Sequence, residues 1–175
     1  MTDVSTLRLT DTSYAVLGLV DLFEPATPYQ LKQIALVSIF HFWSIPHTQL
    51  YTECARLADA GLLDEHREQT GRRRRVYRLS AAGRKALREW RSDPDTGLYE
   101  LRDPGLLKLF CGADPASLAE TQLERHQQRL ASYQAIAKRT GTSEGTQLAL
   151  EAGIGHEREY VRFWSRVRKT PSKQH

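Results

Sequence analysis

The chain has 175 residues and a formal net charge of only +4, enough length for one well-buried domain or a small domain with a helical extension. Lys+Arg outnumber Asp+Glu by 13 to 10 over residues 1–91 and by 12 to 11 over 92–175, so any anion partner must be met by local placement, not by total charge. No apolar run approaches the roughly 18–20 residues of a membrane span, and the opening MTDVSTLRLT lacks a basic-then-apolar leader, so a cytoplasmic protein with no membrane partner is expected.

In chain order, residues 1–10 read as a polar lead-in. Thr10, Asp11 and Thr12 are candidate N-caps for a first helix over roughly Thr12 to Leu22, in which Tyr14, Leu17, Gly18 and Val20 face inward. Glu24-Pro25 ends it. Thr27 as N-cap and Pro28 at the first helical position open a second helix, with Tyr29, Leu31, Ile34, Ala35 and Ile39 at near-helical spacing, fraying into His41-Phe42-Trp43. A third helix begins at Pro46. Its buried stripe is Leu50, Cys54, Leu57 and Ala58; His47, Thr48, Thr52 and Arg56 point towards solvent, with Gln49 and Tyr51 at the flanks. Gly61 suits the position just past that helix. Two strands, about Leu63–Glu68 and Arg73–Leu79, then meet at Thr70-Gly71 as a hairpin. Ser80 caps a fourth helix ending near Trp90, with Ala86, Leu87 and Trp90 as its apolar contacts.

SDPDTG, residues 92–97, is turn-forming and poor in apolar residues, and is read as the linker between a domain at 1–91 and a second region at 98–170. Asp103-Pro104 starts a short helix through Phe110, and Asp114-Pro115 a long one to about Arg139. Along the long helix Ala119, Leu123, His126, Leu130, Tyr133 and Ala137 alternate at spacings of four and three. GTSEG, from Gly141 to Gly145, is a loop. A final helix, roughly Thr146 to Arg168, carries Leu150, Ile154, Val161 and Trp164 on a similar seam, and a polar tail follows. The expected fold is mainly α: three helices, a two-stranded wing and a following helix, arranged as a winged helix-turn-helix, then a C-terminal helical arm.

A helix with a polar outer face beside an arginine-tipped hairpin suits duplex DNA, with the helix in a groove and the wing on phosphate. His47, Thr48, Gln49 and Thr52 lie in the first turns of the third helix, where glutamine can bond adenine and threonine can touch a thymine methyl. Tyr51 is a candidate for phosphate bonding or simple packing. The run Arg72, Arg73, Arg74 and Arg75 would in general be a solvated charge run. On a hairpin its side chains alternate between faces, so at most two or three meet one backbone, and Arg73 and Arg74 are favoured for phosphate. Tyr29 and Lys32, at the start of the second helix, are further phosphate candidates. Tyr77 is read as packing between wing and helix.

His41, Phe42 and Trp43, with Trp90 and Trp164, can line a pocket for a planar effector; core and dimer packing is the commoner use of such aromatics. His126 on the seam reads as a satisfied histidine. His156, Glu157 and Glu159 lack the partners of a metal site, and Cys54 and Cys111 form no CxxC pair, so no metal or cofactor and no disulfide is expected. There is no glycine-rich phosphate loop and no nucleophile placed with a base, so an enzyme is not expected.

The segments TSYAVLGLV, PATPYQLKQ, PHTQLYTECARLADAGLL and GRRRRVYRLSAAGRKAL resemble the PadR family of bacterial transcriptional regulators. LRDPGLLKLF and the two long helices resemble the C-terminal region of its longer subfamily, so the likeness runs from about Leu9 to Val167 and is weakest between Gly141 and Thr146. The resemblance implies a winged-helix homodimer, usually a repressor, whose C-terminal helices supply the dimer contact and which a small, often aromatic molecule releases from DNA. No residue set here marks a phenolic-acid pocket, so that effector class does not carry over. A lone arm would expose two apolar seams, and Leu123, His126, Leu130, Tyr133, Leu150, Ile154, Val161 and Trp164 are expected to bury partly against each other and partly against a second subunit. The partners expected are a second copy, a pseudo-palindromic double-stranded operator and an effector. The competing readings are a winged-helix adaptor that binds a protein chain and a regulator that needs no ligand.

Overall fold

The computed structural model describes residues 8–36, 38–39, 42–67, 74–138 and 143–171. Readings for residues 1–7, His41, the Thr70-Gly71 turn with Glu68, Arg72 and Arg73, the start of the GTSEG loop and the last four residues lie outside them. The elements are α1 (Asp11–Phe23), α2 (Pro28–Leu36), α3 (His47–Asp59), β1 (Leu63–Arg67), β2 (Arg75–Leu79), α4 (Ala81–Ser92), α5 (Pro104–Phe110), α6 (Pro115–Ala137) and α7 (Glu144–Val167). The architecture is therefore mainly helical with a two-stranded antiparallel wing, as the sequence predicts. It forms two compact units, residues 1–97 and 98–175.

Local chemistry explains the helix ends of the first unit. Thr10 is the N-cap of α1: its Oγ1 accepts the Ser13 N–H at 3.3 Å, and Ser13 Oγ accepts the Thr10 N–H at 2.9 Å. Thr27 and Gln30 repeat the device at α2, with bonds of 3.2 and 2.9 Å. Pro46 gives α3 no side-chain cap, but Ile45 and Leu50, both buried, hold the positions of a hydrophobic staple around it. At the other end the Gly61 N–H bonds the Ala58 carbonyl and the Leu62 N–H bonds the Leu57 carbonyl, each at 2.9 Å. That double closure needs a left-handed residue, and Gly61 has φ +72°. Ser80 caps α4 through the Gly83 N–H and also donates to the Gly61 carbonyl at 2.6 Å, tying the start of α4 to the end of α3.

The core of this unit is Val16, Leu17 and Val20 of α1, Leu31 of α2, Leu50 and Leu57 of α3, and Leu87 of α4, closed by Tyr77 and Leu79 of the wing. Each fully buried leucine contributes about 1.5–3 kcal/mol relative to exposure. Two stripes differ from expectation. On α1, Ser13, Val16 and Leu19 join Leu17 and Val20 inside, whereas Tyr14 is half-buried because its ring stacks on Trp90 at 4.8 Å. On α2, Tyr29 is exposed and only Leu31 and Ala35 are fully buried. The wing gains an addition that periodicity does not foresee: Ala26 exchanges backbone hydrogen bonds with Tyr77 on the outer edge of β2.

In the second unit Asp103 caps α5 and Asp114 caps α6, each ahead of a proline at the first helical position. Helices α6 and α7 pack antiparallel, with Tyr133 beside Gly153, His126 bonded to Glu157, and Ala119 and Leu123 clustered with Trp164. Leu106 and Leu109 of α5 pack against that cluster. Leu123, Tyr133, Ile154 and Trp164 are at most 9% exposed in a single chain, and they close α6 on α7. Leu130, Leu150 and Val161 are half-buried, and His126 is engaged by Glu157.

Candidate nucleic-acid interface

Helix α3 turns Leu50, Glu53, Cys54 and Leu57 into the core. Its 3.6-residue period then leaves His47, Thr48, Gln49, Tyr51 and Thr52 exposed, side by side over the first two turns. The Thr52 hydroxyl donates to the Thr48 carbonyl at 2.9 Å, and the residue stays exposed. A helix face with one amide and three hydroxyl side chains, and no lysine, arginine or carboxylate among them, suits base edges better than phosphate. At the start of α2, Tyr29 is exposed and Lys32 half-buried.

Arg56, predicted on the solvent face, belongs elsewhere. Its Nε and Nη2 donate to the two oxygens of Glu53 at 2.9 and 2.6 Å, and Nη2 also donates to Ser13 Oγ of α1 at 2.9 Å. Burial pushes the Glu53 carboxyl up, but the bonds from Arg56 and Ser13 outweigh it and hold the group below the ordinary carboxylate range. Cys54 is buried beside that carboxylate; desolvation first, then the Glu53 charge, push its thiol up to about 12, which makes it a packing residue.

The wing pairs Leu63 with Leu79, Glu65 with Tyr77 and Arg67 with Arg75. Glu65 is its polar centre. It accepts from Arg67 Nε at 3.1 Å and from the Tyr77 hydroxyl at 3.0 Å, and lies 3.5 Å from Arg75 Nη1. Burial raises the Glu65 carboxyl, and these donors together hold it below the usual range. The Tyr77 hydroxyl is pushed up to about 12, by burial and then by its bond to Glu65. Tyr77 is thus the packing residue that the sequence suggests. Arg74 is exposed ahead of β2, Arg75 is half-committed to Glu65, and Arg72 and Arg73 lie outside the described residues. Arg67, across the ladder from Arg75, is a further guanidinium on the wing; it stands outside the four-arginine run, and its position two residues beyond Glu65 places it on the same face as Glu65.

The aromatic candidates do not all converge. Phe42 and Trp43 are exposed, and Trp90 is stacked on Tyr14. A shallow hollow of about 260 Å³ in this unit is lined instead by Phe23, Pro25, Ala26, Gln30, Gln33 and Ile34, below the size usual for a ligand pocket. Among the described residues no group of three or more His, Cys, Asp or Glu is placed to hold a metal ion, and no helix is long and apolar enough to cross a membrane.

Residues 16–89 match the transcriptional regulator PadR-like family, and residues 101–170 match the virulence activator alpha C-terminal region. The negative transcriptional regulator PadR of Bacillus subtilis (strain 168) is 24% identical over 165 residues, covering 85% of this chain and 90% of the relative. The crystal structure of Bacillus subtilis PadR in complex with operator DNA superposes with a TM-score of 0.78 at 22% identity, over 91% of this chain and 98% of that one. Its complex with p-coumaric acid gives a TM-score of 0.70 at 22% identity, over 91% and 97%.

Proposed function

With a PadR-like family domain followed by a virulence activator alpha C-terminal region, the chain is a PadR-like transcriptional regulator, and we propose that it acts as a homodimeric repressor of a pseudo-palindromic operator, released by a small aromatic effector. One observation carries the reading. The exposed polar turns of α3, with His47, Thr48, Gln49 and Thr52, stand on the same compact unit as an arginine wing, in a fold shared with a regulator crystallised on operator DNA. In this reading residues 1–91 bind DNA. Thr48, Gln49 and Thr52 reach base edges, with His47 and Tyr51 beside them, while two or three of Arg72, Arg73, Arg74 and Arg75, Arg73 and Arg74 foremost, and Tyr29 and Lys32 of α2 take phosphate.

Residues 98–170 supply the dimer contact. Exposed Leu107, Phe110 and Leu148, with half-buried Leu130, Leu150 and Val161, supply the apolar surface that a second copy would cover. Two copies place two recognition helices in successive major grooves about 34–36 Å apart. The p-coumaric acid complex of the Bacillus subtilis relative supports a small aromatic effector, and Phe42, Trp43 and Trp90 remain its candidate rings here. Such a ligand acts by binding one arrangement of the two DNA-binding domains more tightly than the other.

Selection from a pool of random duplexes tests the reading. The expected result is an enriched inverted repeat that binds far more tightly than a scrambled duplex and weakens as salt rises. A pool that enriches no motif, with equal binding to every duplex, contradicts sequence reading.

A further inference from the structure

Glu53 is a charged residue only 8% exposed on a helix whose opposite side is offered to solvent, and both of its carboxylate oxygens are bonded by Arg56. Arg56 grips it in a two-pronged fork and continues to Ser13, which is fully buried in the first turn of α1, 43 positions away in sequence. The Ser13 oxygen also accepts the Thr10 N–H and lies 3.1 Å from Thr10 Oγ1, so the network runs from the cap of α1 into the middle of α3. Within α3, Gln49 precedes Glu53 by four residues and Arg56 by seven, which puts all three along one side of the helix. The network therefore lies at the border between the buried stripe and the face with Thr48, Gln49 and Thr52.

A buried ion pair is weak evidence for stability, because desolvation offsets most of the attraction; its best-attested use is to fix one arrangement among several of similar energy. Hydrophobic packing of Leu50 and Leu57 holds α3 down but resists rotation about the helix axis poorly, since apolar contact is not directional. A fork of hydrogen bonds is directional. The scale makes this matter. Side-chain tips lie about 5–6 Å from a helix axis, so a roll of about 10° moves them by about 1 Å. That exceeds the whole width of the hydrogen-bond window, 2.7–3.2 Å, in which a base edge is read. Flexible arginines on a wing absorb such a shift.

We propose that Ser13, Glu53 and Arg56 form a strut that sets the roll of α3 against α1, and so determines which base edges Thr48, Gln49 and Thr52 reach. They are positioning residues for sequence readout, and Arg56 is not a phosphate ligand. This rests on the DNA-reading function above.

The test uses the full chain as Ser13→Ala, which removes the hydroxyl at the joint, and Arg56→Lys, which keeps the charge but not the fork. Each is titrated by fluorescence anisotropy against the selected duplex and a scrambled one at two salt concentrations. The strut predicts that the ratio of the two affinities falls roughly 10-fold, the worth of one base-edge contact, while scrambled-duplex affinity and salt slope stay unchanged. An unchanged ratio, or a parallel loss on both duplexes, overturns it. Should Ser13→Ala fail to fold, Arg56→Lys decides. A separate readout needs no DNA: amide hydrogen exchange in the first turns of α3 should quicken in both variants while α6 and α7 exchange as before. If the unaltered chain discriminates between no duplexes, the DNA reading falls. Exchange then judges the strut alone, and unchanged protection of α3 rejects it.

Discussion

In the proposed reading Gln49 and Arg74 stand for the two kinds of contact a winged helix makes, and substitution separates them. Gln49→Ala should cost about 1–3 kcal/mol of discrimination at a single base position and leave the salt slope alone, whereas Arg74→Ala should weaken every duplex alike and reduce the slope by about one. Titration of both variants against a panel of single-base operator changes checks this. The carboxylates of the first unit give a second prediction at this scale. Glu24 accepts from the Leu79 N–H and from Arg84 Nη2, each at 2.6 Å; burial raises its carboxyl, and these donors hold it below the ordinary range, as happens at Glu53 and Glu65. Groups lowered in the folded state stabilise it above their unfolded value, about 4.3, and that stability disappears as pH falls through the lower folded value. Urea midpoints should therefore drop on acidification below about pH 4.3, and less steeply in Glu24→Gln. Residue roles of this kind were only partly legible beforehand. The α3 face follows from Leu50, Cys54 and Leu57. Arg56 does not, because its partner Ser13 is set by how α1 packs on α3, which no local pattern encodes.

Elements were the most legible level, since they depend on neighbours in sequence. Thr10, Thr27, Ser80, Asp103 and Asp114 cap helices as their residue types suggest, and Gly61 closes α3. What failed was residue type overriding period. On α7 the seam runs Leu150, Ile154, Glu157, Val161 and Trp164; a charged residue type gives no sign of belonging to it, yet Glu157 is 2% exposed and bonded to His126 Nδ1 at 2.6 Å. Glu157→Ala should leave His126 short of its partner and cost about 1–3 kcal/mol in chemical denaturation of the second unit. Gly83 makes the corresponding point in the first unit. It sits on the first turn of α4, where an added Cβ would overlap the Leu62 carbonyl. Gly83→Ala must push α4 off the strand entry, and a loss of at least about 1–3 kcal/mol is expected despite alanine's better helix propensity.

At the scale of the whole molecule, the exposed run from Arg91 to Arg102 joins the unit that carries α3 and the wing to a unit built on a helical hairpin. The stretch SDPDTG within it is poor in apolar residues. Which seam residues close the hairpin and which stay exposed depends on the rotation of α6 against α7, a property of the folded pair. Light scattering should return twice the mass of one chain at micromolar concentration, and Phe110→Glu with Leu148→Glu should return one. The most direct measurement of the central claim is a hydroxyl-radical footprint on the selected duplex. Two protected patches about 34–36 Å apart, related by the symmetry of the repeat, are predicted. A single patch, or even protection along the whole duplex, would contradict a homodimer that reads DNA with paired helices.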